Sequence, residues 1–236
     1  MSALLESDRR FTEPLYTTEE AAEYLRLPRS TFETWVRGYE RDRRSGVRTL
    51  GSSFIHSAQK AGVGRPEIPF IGLAEGMAAR AMKDARVPIR EIRQVLPMLE
   101  REIGIEYALA SKRLYFEGRR ILFDYARSTE KPELAVFVTK QGVIAETLSQ
   151  YMRLLSFDDA GYATRLVLPG TERDVVEVDP EVAFGKPVLV RGNARMVDVL
   201  DRFGAGDSPS EIADDFEVEE QDVIEIVRVF YCRDRS

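Results

Sequence analysis

YTTEEAAEYLRLPRSTFETWVRG, Tyr16 to Gly38, carries two consecutive helix starts. Thr17 with Glu20, and Ser30 with Glu33, have the spacing at which a hydroxyl and a carboxylate cap each other's backbone amides. The spacing predicts a first helix over about Thr18–Leu25, with Ala21, Ala22 and Leu25 on one side. Pro28 cannot continue it, and the residue before a proline avoids helical geometry. A second helix starts after Ser30 and stops near Gly38, where a left-handed residue is accommodated. Phe32, Trp35 and Val36 fall at i, i+3 and i+4 on one face, so Trp35 is expected in a core rather than against a base. The opposite face offers Arg29, Thr31, Thr34 and Arg37. Two short helices joined by a tight turn, the second polar and basic, make a helix-turn-helix. The alternative is a two-helix piece of an unrelated core.

The next stretch, YERDRRSGVRTLGSSFIHSAQKAGVGRPEIPFI, is rich in Gly, Ser and Arg and too long for a simple turn. Its β-capable pieces, Val47–Leu50, Ser53–His56 and Ile68–Ile71, suit a hairpin and partner strand, a wing beside the second helix. Arg41, Arg43, Arg44 and Arg48 would then reach DNA phosphates, unless the segment is only a solvated basic loop. Ser30, Thr31 and Thr34 are the candidates for base edges, with Arg29 and Arg37 on bases or phosphates; phosphate contacts set register and base contacts set sequence.

Three further helices are expected. Leu73–Ala85 is rich in Ala and Met. Pro88 occupies a first-turn position and opens PIREIRQVLPMLEREIG, where Ile89, Ile92, Leu96, Leu99 and Ile103 form one apolar stripe. Pro97 should kink this helix, and Gly104 ends it. The third runs from about Glu106 to Arg127, with a stripe that suits a dimer contact or core packing equally.

The middle then turns β-rich, with Glu133–Thr139, Thr164–Pro169 and Asp174–Asp179 bounded by turn residues. Val143–Leu155 reads as a helix or as a helix then a strand. These pieces imply a small antiparallel sheet, a candidate for self-association. The last segment reads as three helices: about Met196–Phe203, ended by Gly204 and Gly206; one opened by Ser208, Pro209 and Glu211 as a capping box; and one from Glu219 or Glu220, where acids suit the positive helix end. Ile212, Ala213, Phe216, Val218, Val223, Ile226 and Val227 supply its core. This too has a helix-turn-helix outline, yet Ser208–Val227 holds eight acids and no Lys or Arg. DNA is polyanionic, so the sign is wrong for it.

The net charge of −6 hides an asymmetry. Arg26–Arg65 has nine basic residues against three acidic ones, and Thr171–Ser236 has eight against seventeen. Opposite signs at the two ends point to separate partners. Cys232 and His56 are the only Cys and His, which excludes an intrachain disulfide and a Cys/His zinc site. The start MSALLESDRR lacks signal-peptide order, and no apolar run nears the roughly 20 residues of a membrane span. The expectation is a cytoplasmic protein with no membrane contact.

On Tyr16–Gly38, the basic wing, IPFIGLAEG (Ile68–Gly76) and VPIREIR (Val87–Arg93), the first half resembles the winged helix-turn-helix of MerR-type regulators. FDDAGYATRLVLPG (Phe157–Gly170) leads into VDPEVAFGKPVLVRG (Val178–Gly192) and the acidic helices. That combination resembles the longer VapB-type antitoxins, whose C-terminal domain was catalogued as of unknown function. Short relatives often read Gly-Thr-Arg-Ile-Pro where this chain has Gly192-Asn193-Ala194-Arg195-Met196, with the arginine displaced by one and the proline absent. The resemblance implies an antitoxin that represses its own operon and neutralises a PIN-like ribonuclease, a nuclease class with clustered carboxylates, a divalent cation and a basic RNA-binding surface. Either the acidic module (Glu211, Asp214, Asp215, Glu219, Glu220) covers that basic surface, or Arg191 or Arg195 disturbs the carboxylates.

The fold expected is α+β and mainly helical. A winged helix-turn-helix spans 1–104, a connecting helix 105–130, a small β-rich segment 131–180 and an acidic three-helix domain 181–236. Without a phosphate-binding glycine loop or an HExxH motif, the chain is expected to be no enzyme and to need neither metal nor cofactor. A homodimer on a palindromic operator is the expected assembly. The competing function is a MerR-like transcription regulator with a small-molecule effector in the central sheet.

Overall fold

The Asp8 carboxylate accepts the Arg10 amide at 2.9 Å and starts a short helix, α1 (Arg9–Thr12). The expected capping box then forms. Thr17 accepts from the Glu20 amide at 3.0 Å, Glu20 accepts from the Thr17 amide at 2.8 Å, and α2 runs Thr18–Tyr24. The second expected box does not form. Helix α3 (Arg29–Arg37) has Pro28 at its N-cap and no side-chain cap, because Ser30 is already inside the helix. The apolar face is as expected, with Phe32, Trp35 and Val36 buried under α3 and Ala21, Ala22 and Leu25 under α2.

The structure, a computed structural model, describes residues 5, 7–43, 46–58, 64–98, 101, 104, 106–116, 151–192 and 194–231. The chain is α+β and mainly helical, and it divides into two units, Met1–Thr164 and Arg165–Ser236.

In the first unit the wing is a hairpin. β1 (Tyr39–Arg43) pairs antiparallel with β2 (Gly46–Gly51), from Tyr39↔Gly51 to Arg43↔Gly46. Two of the three expected β pieces are not wing strands. At 53–56 the chain folds back on α3 instead, the Phe54 and Ile55 amides donating to the Trp35 carbonyl at 3.0 and 3.3 Å. Ile68 makes one isolated bridge with Tyr16, and Pro69 then caps α4 (Phe70–Asp84). Helix α4 is buried on nearly every side, and its small residues set how closely neighbours approach. A Cβ on Gly76 would lie 2.6 Å from Leu25 Cδ1 and 2.7 Å from Phe32 Cε2. Helix α5 (Ile89–Met98) contains Pro97 and buries Ile92 and Leu96; Leu99 and Ile103 lie outside the described residues.

The long helix expected from Glu106 does not start there. Tyr107 is left-handed (φ 49°), Ala108–Ala110 form a 3-10 turn, and Ser111 is extended and bridged to Tyr162 before the short α6 (Lys112–Phe116). Ala108, Leu109 and Ala110 are all buried, and three successive buried positions exceed what a surface helix stripe can hide. Residues 117–150, with the rest of that helix, the expected strand Glu133–Thr139 and most of Val143–Leu155, lie outside the described residues.

A small four-stranded sheet runs β3 (Leu155–Phe157), β4 (Ala163–Val167), β5 (Val176–Val178) and β6 (Val188–Leu189), in that order. In the second unit Leu166 opposes Val178, and Val176 opposes Leu189, both antiparallel. Three helices follow: α7 (Met196–Ala205), α8 (Pro209–Phe216) and α9 (Glu220–Ile226), the last continuing as a π-type turn to Tyr231. The Ser208–Glu211 capping box is present. Helix α7 passes through Gly204 and stops at Gly206, whose φ of 108° only glycine takes without strain. Ile212, Val223 and Ile226 are fully buried with Val199. Among the described residues no helix is long and apolar enough to cross a membrane.

Candidate functional site

The outer face of α3 is the first candidate surface. Arg29, Ser30 and Arg37 are exposed there, and Thr31, Glu33 and Thr34 are half-buried. The Thr34 hydroxyl donates to the Thr31 carbonyl at 2.7 Å, which holds it along the helix. Arg29 reaches Glu19 of α2 at 3.2 Å with both groups largely in solvent, a pair too exposed to lock either side chain. Arg37 differs. Its Nη2 donates to Glu67 Oε1 at 2.9 Å, and Glu67 is only 4% exposed and also accepts from the Thr18 hydroxyl. A buried carboxylate needs a cation or several donors, so Arg37 anchors α3 while its exposed part still faces outward.

Arg41, Arg43 and Arg48 lie on the hairpin strands by backbone register; Arg44 lies outside the described residues. Tyr39, at the foot of β1, is 47% exposed. The structure adds a residue that the sequence analysis did not single out for this surface. Arg93 of α5 donates from Nη2 to the Thr34 carbonyl at 2.8 Å, and its guanidinium lies 5.4 Å over the Phe54 ring. It also fills the space beside the wing, where a Cβ on Gly51 would collide with Arg93 Nη1. Its Nε is buried without a hydrogen-bond partner, and burial lowers its pKa. Arg93 thus ties α5, the C-terminal half of α3 and the root of the wing. The sequence held one signal for it: Arg93 lies four residues after Ile89, at the edge of the apolar stripe.

Beside the wing root, Ser53, Phe54, His56, Glu75, Pro97 and Tyr107 line a pocket of about 180 Å³, below the roughly 300 Å³ at which organic-ligand sites begin. The His56 amide donates to Glu75 Oε2 at 2.7 Å, and its Nε2 lies 2.9 Å from the Phe11 carbonyl. Burial lowers the His56 pKa. This is a hydrogen-bonded joint between α1, α4 and the wing root.

In the second unit most of the acids that made its sign puzzling have partners. Glu211 caps α8, and its hydrogen bonds from Ser208 lower its pKa. Asp215 and Asp207 flank Arg202. At the start of α9, Asp222 is 2% exposed and sits between Arg173 Nη1 at 3.2 Å and Arg191 Nη1 at 3.0 Å. Glu219 pairs with the same two arginines, and the hydrogen bond from Arg173 lowers its pKa. Glu225 accepts from the Glu172 and Arg173 amides at 3.1 and 3.3 Å. The first turn of α9, where a recognition helix would meet DNA, is therefore clamped by arginines from the loops around β5 and β6. A Cβ on Gly192 would lie 2.5 Å from Val218, so the loop after β6 sits directly on the α8–α9 turn.

Of the expected partner-binding residues, the structure brings Arg191 and Glu219 together at 3.4 Å. Arg195 pairs instead with Asp198 at 2.6 Å. Asp214 and Glu220 stand exposed on α8 and α9.

A family model described as "Putative DNA-binding HTH domain" matches residues 14–96, and one described as "Protein of unknown function (DUF433)" matches residues 176–228. The crystal structure of Rv2018 from Mycobacterium tuberculosis superposes with a TM-score of 0.75 at 29% identity, covering 92% of this chain and 99% of that one. The curated protein "Putative antitoxin VapB45" from Mycobacterium tuberculosis is 34% identical over 221 residues, spanning 90% of this chain and 92% of its own length. Likeness at that level runs through both units, and the chain belongs to the VapB-type antitoxins, with a helix-turn-helix DNA-binding domain in its first unit.

Proposed function

We propose that the protein is the antitoxin of a type II toxin–antitoxin pair: a cytoplasmic homodimer, not an enzyme, that represses its own operon and neutralises a PIN-like ribonuclease. The observation that carries this reading is the division of charge between two separately built surfaces. Residues 1–104 act on operator DNA through Ser30, Thr31 and Thr34 at base edges, Arg29 and Arg37 beside them, and Arg41, Arg43, Arg44 and Arg48 on phosphates. Residues 181–236 meet the nuclease through exposed acids such as Asp214 and Glu220, with Glu211, Asp215, Glu219, Arg191 and Arg195 shaping that face. A nuclease surface made to hold RNA phosphates is basic, and an acidic module competes for it through complementary charge.

The test is to express the chain untagged beside the tagged product of the neighbouring gene. A stable complex without ribonuclease activity, with activity regained once the antitoxin is removed, supports the reading. Absence of a complex, while the chain alone still binds its promoter, rejects neutralisation and leaves a transcription regulator.

A further inference from the structure

Among the described residues of the second unit, one turn places two non-glycine residues in succession in the left-handed region. Between β5 and β6, Ala183 has φ 47° and Phe184 has φ 56° with ψ 35°. These are successive left-handed residues, a conformation in which an L side chain crowds the following carbonyl oxygen. Gly185 follows at φ 73°, where it suffers no such penalty. The rest of the turn is anchored. Pro180, Gly185 and Pro187 are buried, and the Asp179 carboxylate accepts from the Glu181 amide at 2.9 Å. Backbone bonds of 3.0, 2.9 and 3.1 Å run from Val182 to Asp179, Gly185 to Val182 and Lys186 to Ala183. Phe184 stands clear of this framework, 84% exposed, the most exposed of the large hydrophobic side chains among the described residues.

A lone exposed apolar residue is ordinary. A strained backbone that holds an aromatic ring in water is different, because the ring adds nothing to the core that would offset the strain. Where no helix cap accounts for it, strain of this kind clusters at binding and switch sites. Two other exposed apolar residues lie on segments tied to the strand after the turn. Met196 donates to the Pro187 carbonyl at 2.9 Å and Leu189 to the Ala194 carbonyl at 2.8 Å. These bonds stitch the segments carrying Val190 and Val197, 42% and 47% exposed, to the strand that follows the turn.

We infer that Phe184 is the apolar anchor of a protein-docking surface on the second unit, occupied by a basic partner protein. This rests on the antitoxin reading, and the occupant is the nuclease. Charge selects it: Thr171–Ser236 has eight basic residues against seventeen acidic ones, and Asp179 and Glu181 stand beside the turn. A second copy presenting the same face would set like charges against each other, and DNA carries the wrong sign. A basic protein gains both from the charge and from closing over an aromatic anchor of the kind that dominates interface energetics.

The experiment compares the full chain with its Phe184→Gly, Phe184→Ala and Phe184→Leu variants, by thermal melting, oligomeric state and affinity for the purified nuclease encoded by the adjacent gene. Phe184→Gly should melt a few degrees higher, since glycine adopts this conformation freely, and bind the nuclease roughly 30-fold more weakly or worse. Phe184→Ala should bind as weakly as the glycine variant, and Phe184→Leu should keep much of the affinity. A merely structural residue would not combine greater stability with lost binding. Unchanged nuclease affinity in Phe184→Gly, or a lower melting temperature, overturns the inference. A variant that loses self-association while keeping nuclease affinity makes the occupant a second copy, which also overturns it. If the unmodified chain fails to bind the nuclease, the antitoxin reading falls and this inference falls with it; normal binding by every variant rejects the anchor alone.

Discussion

At Arg37 the sequence offers a cation on the outer face of a recognition helix, and the structure supplies a buried partner for it in Glu67. The two roles are separable. Arg37→Ala takes the guanidinium away from the buried Glu67 carboxylate and should cost about 2 kcal/mol of stability, the scale of a charged group losing its buried partner. Adding Glu67→Gln should restore most of the melting temperature without restoring operator affinity. Full recovery of DNA binding in the double variant would mean that Arg37 never touches DNA. His56 gives a second residue-scale expectation. Its folded pKa is lowered by burial below the ordinary 6.5, so the unfolded chain binds more protons as the pH falls through 6.5. Stability is then fully present above 6.5 and declines as the pH drops from there toward the folded value. Thermal melts between pH 7.5 and 5.5 should show this slope, and His56→Gln should flatten it.

Among the helices, one corner recurs. Arg26, Arg86 and Glu217 are left-handed at φ 52°, 60° and 54°, and each ends a helix. In each case the next residue's amide reaches back five residues, from Leu27 to Ala22, Val87 to Met82 and Val218 to Ala213, at 2.8, 2.9 and 3.0 Å. This is the Schellman arrangement with its apolar residue following the left-handed one. Pro28 and Pro88 marked two of these corners in the sequence; the left-handed residue was invisible because it is not glycine. Placement of α3 depends on α4 beneath it. Gly76→Ala would press a methyl group into Leu25 and the Phe32 ring and should destabilise by about 1–3 kcal/mol through overpacking; a denaturant titration showing no loss would mean that α2 and α3 shift freely. Arg93→Met keeps bulk at the wing root but drops the bond to Thr34. It should weaken operator binding more than bulk-DNA binding, whereas an equal loss on both would make Arg93 only one more cation.

For the whole molecule, the two units should fail separately. Arg43→Ala combined with Arg44→Ala should weaken all DNA similarly and flatten the dependence of affinity on salt, because phosphate contacts release counterions without reading sequence. Nuclease capture should stay intact in that variant. A salt slope unchanged from the parent would remove the wing from the interface.

Local pattern accounts for much of this molecule. The Thr17 and Ser208 boxes, the apolar face of α3, the core of α7–α9 and the sign of each end are short-range properties of spacing and composition, so the sequence determined them by itself. The expected Ser30 box failed because α3 already begins at Arg29, and the Ser53–His56 and Ile68–Ile71 strands because their backbone groups bond other segments. Tyr39–Arg43 took the wing edge, and the Trp35 carbonyl took the amides of Phe54 and Ile55. Why an acidic helix-turn-helix is stable was likewise decided only in three dimensions. Asp222, Glu219 and Glu225 find Arg173, Arg191 and backbone amides from loops far away in sequence, and a charge's partner across a fold is set by chain topology rather than by spacing along the chain.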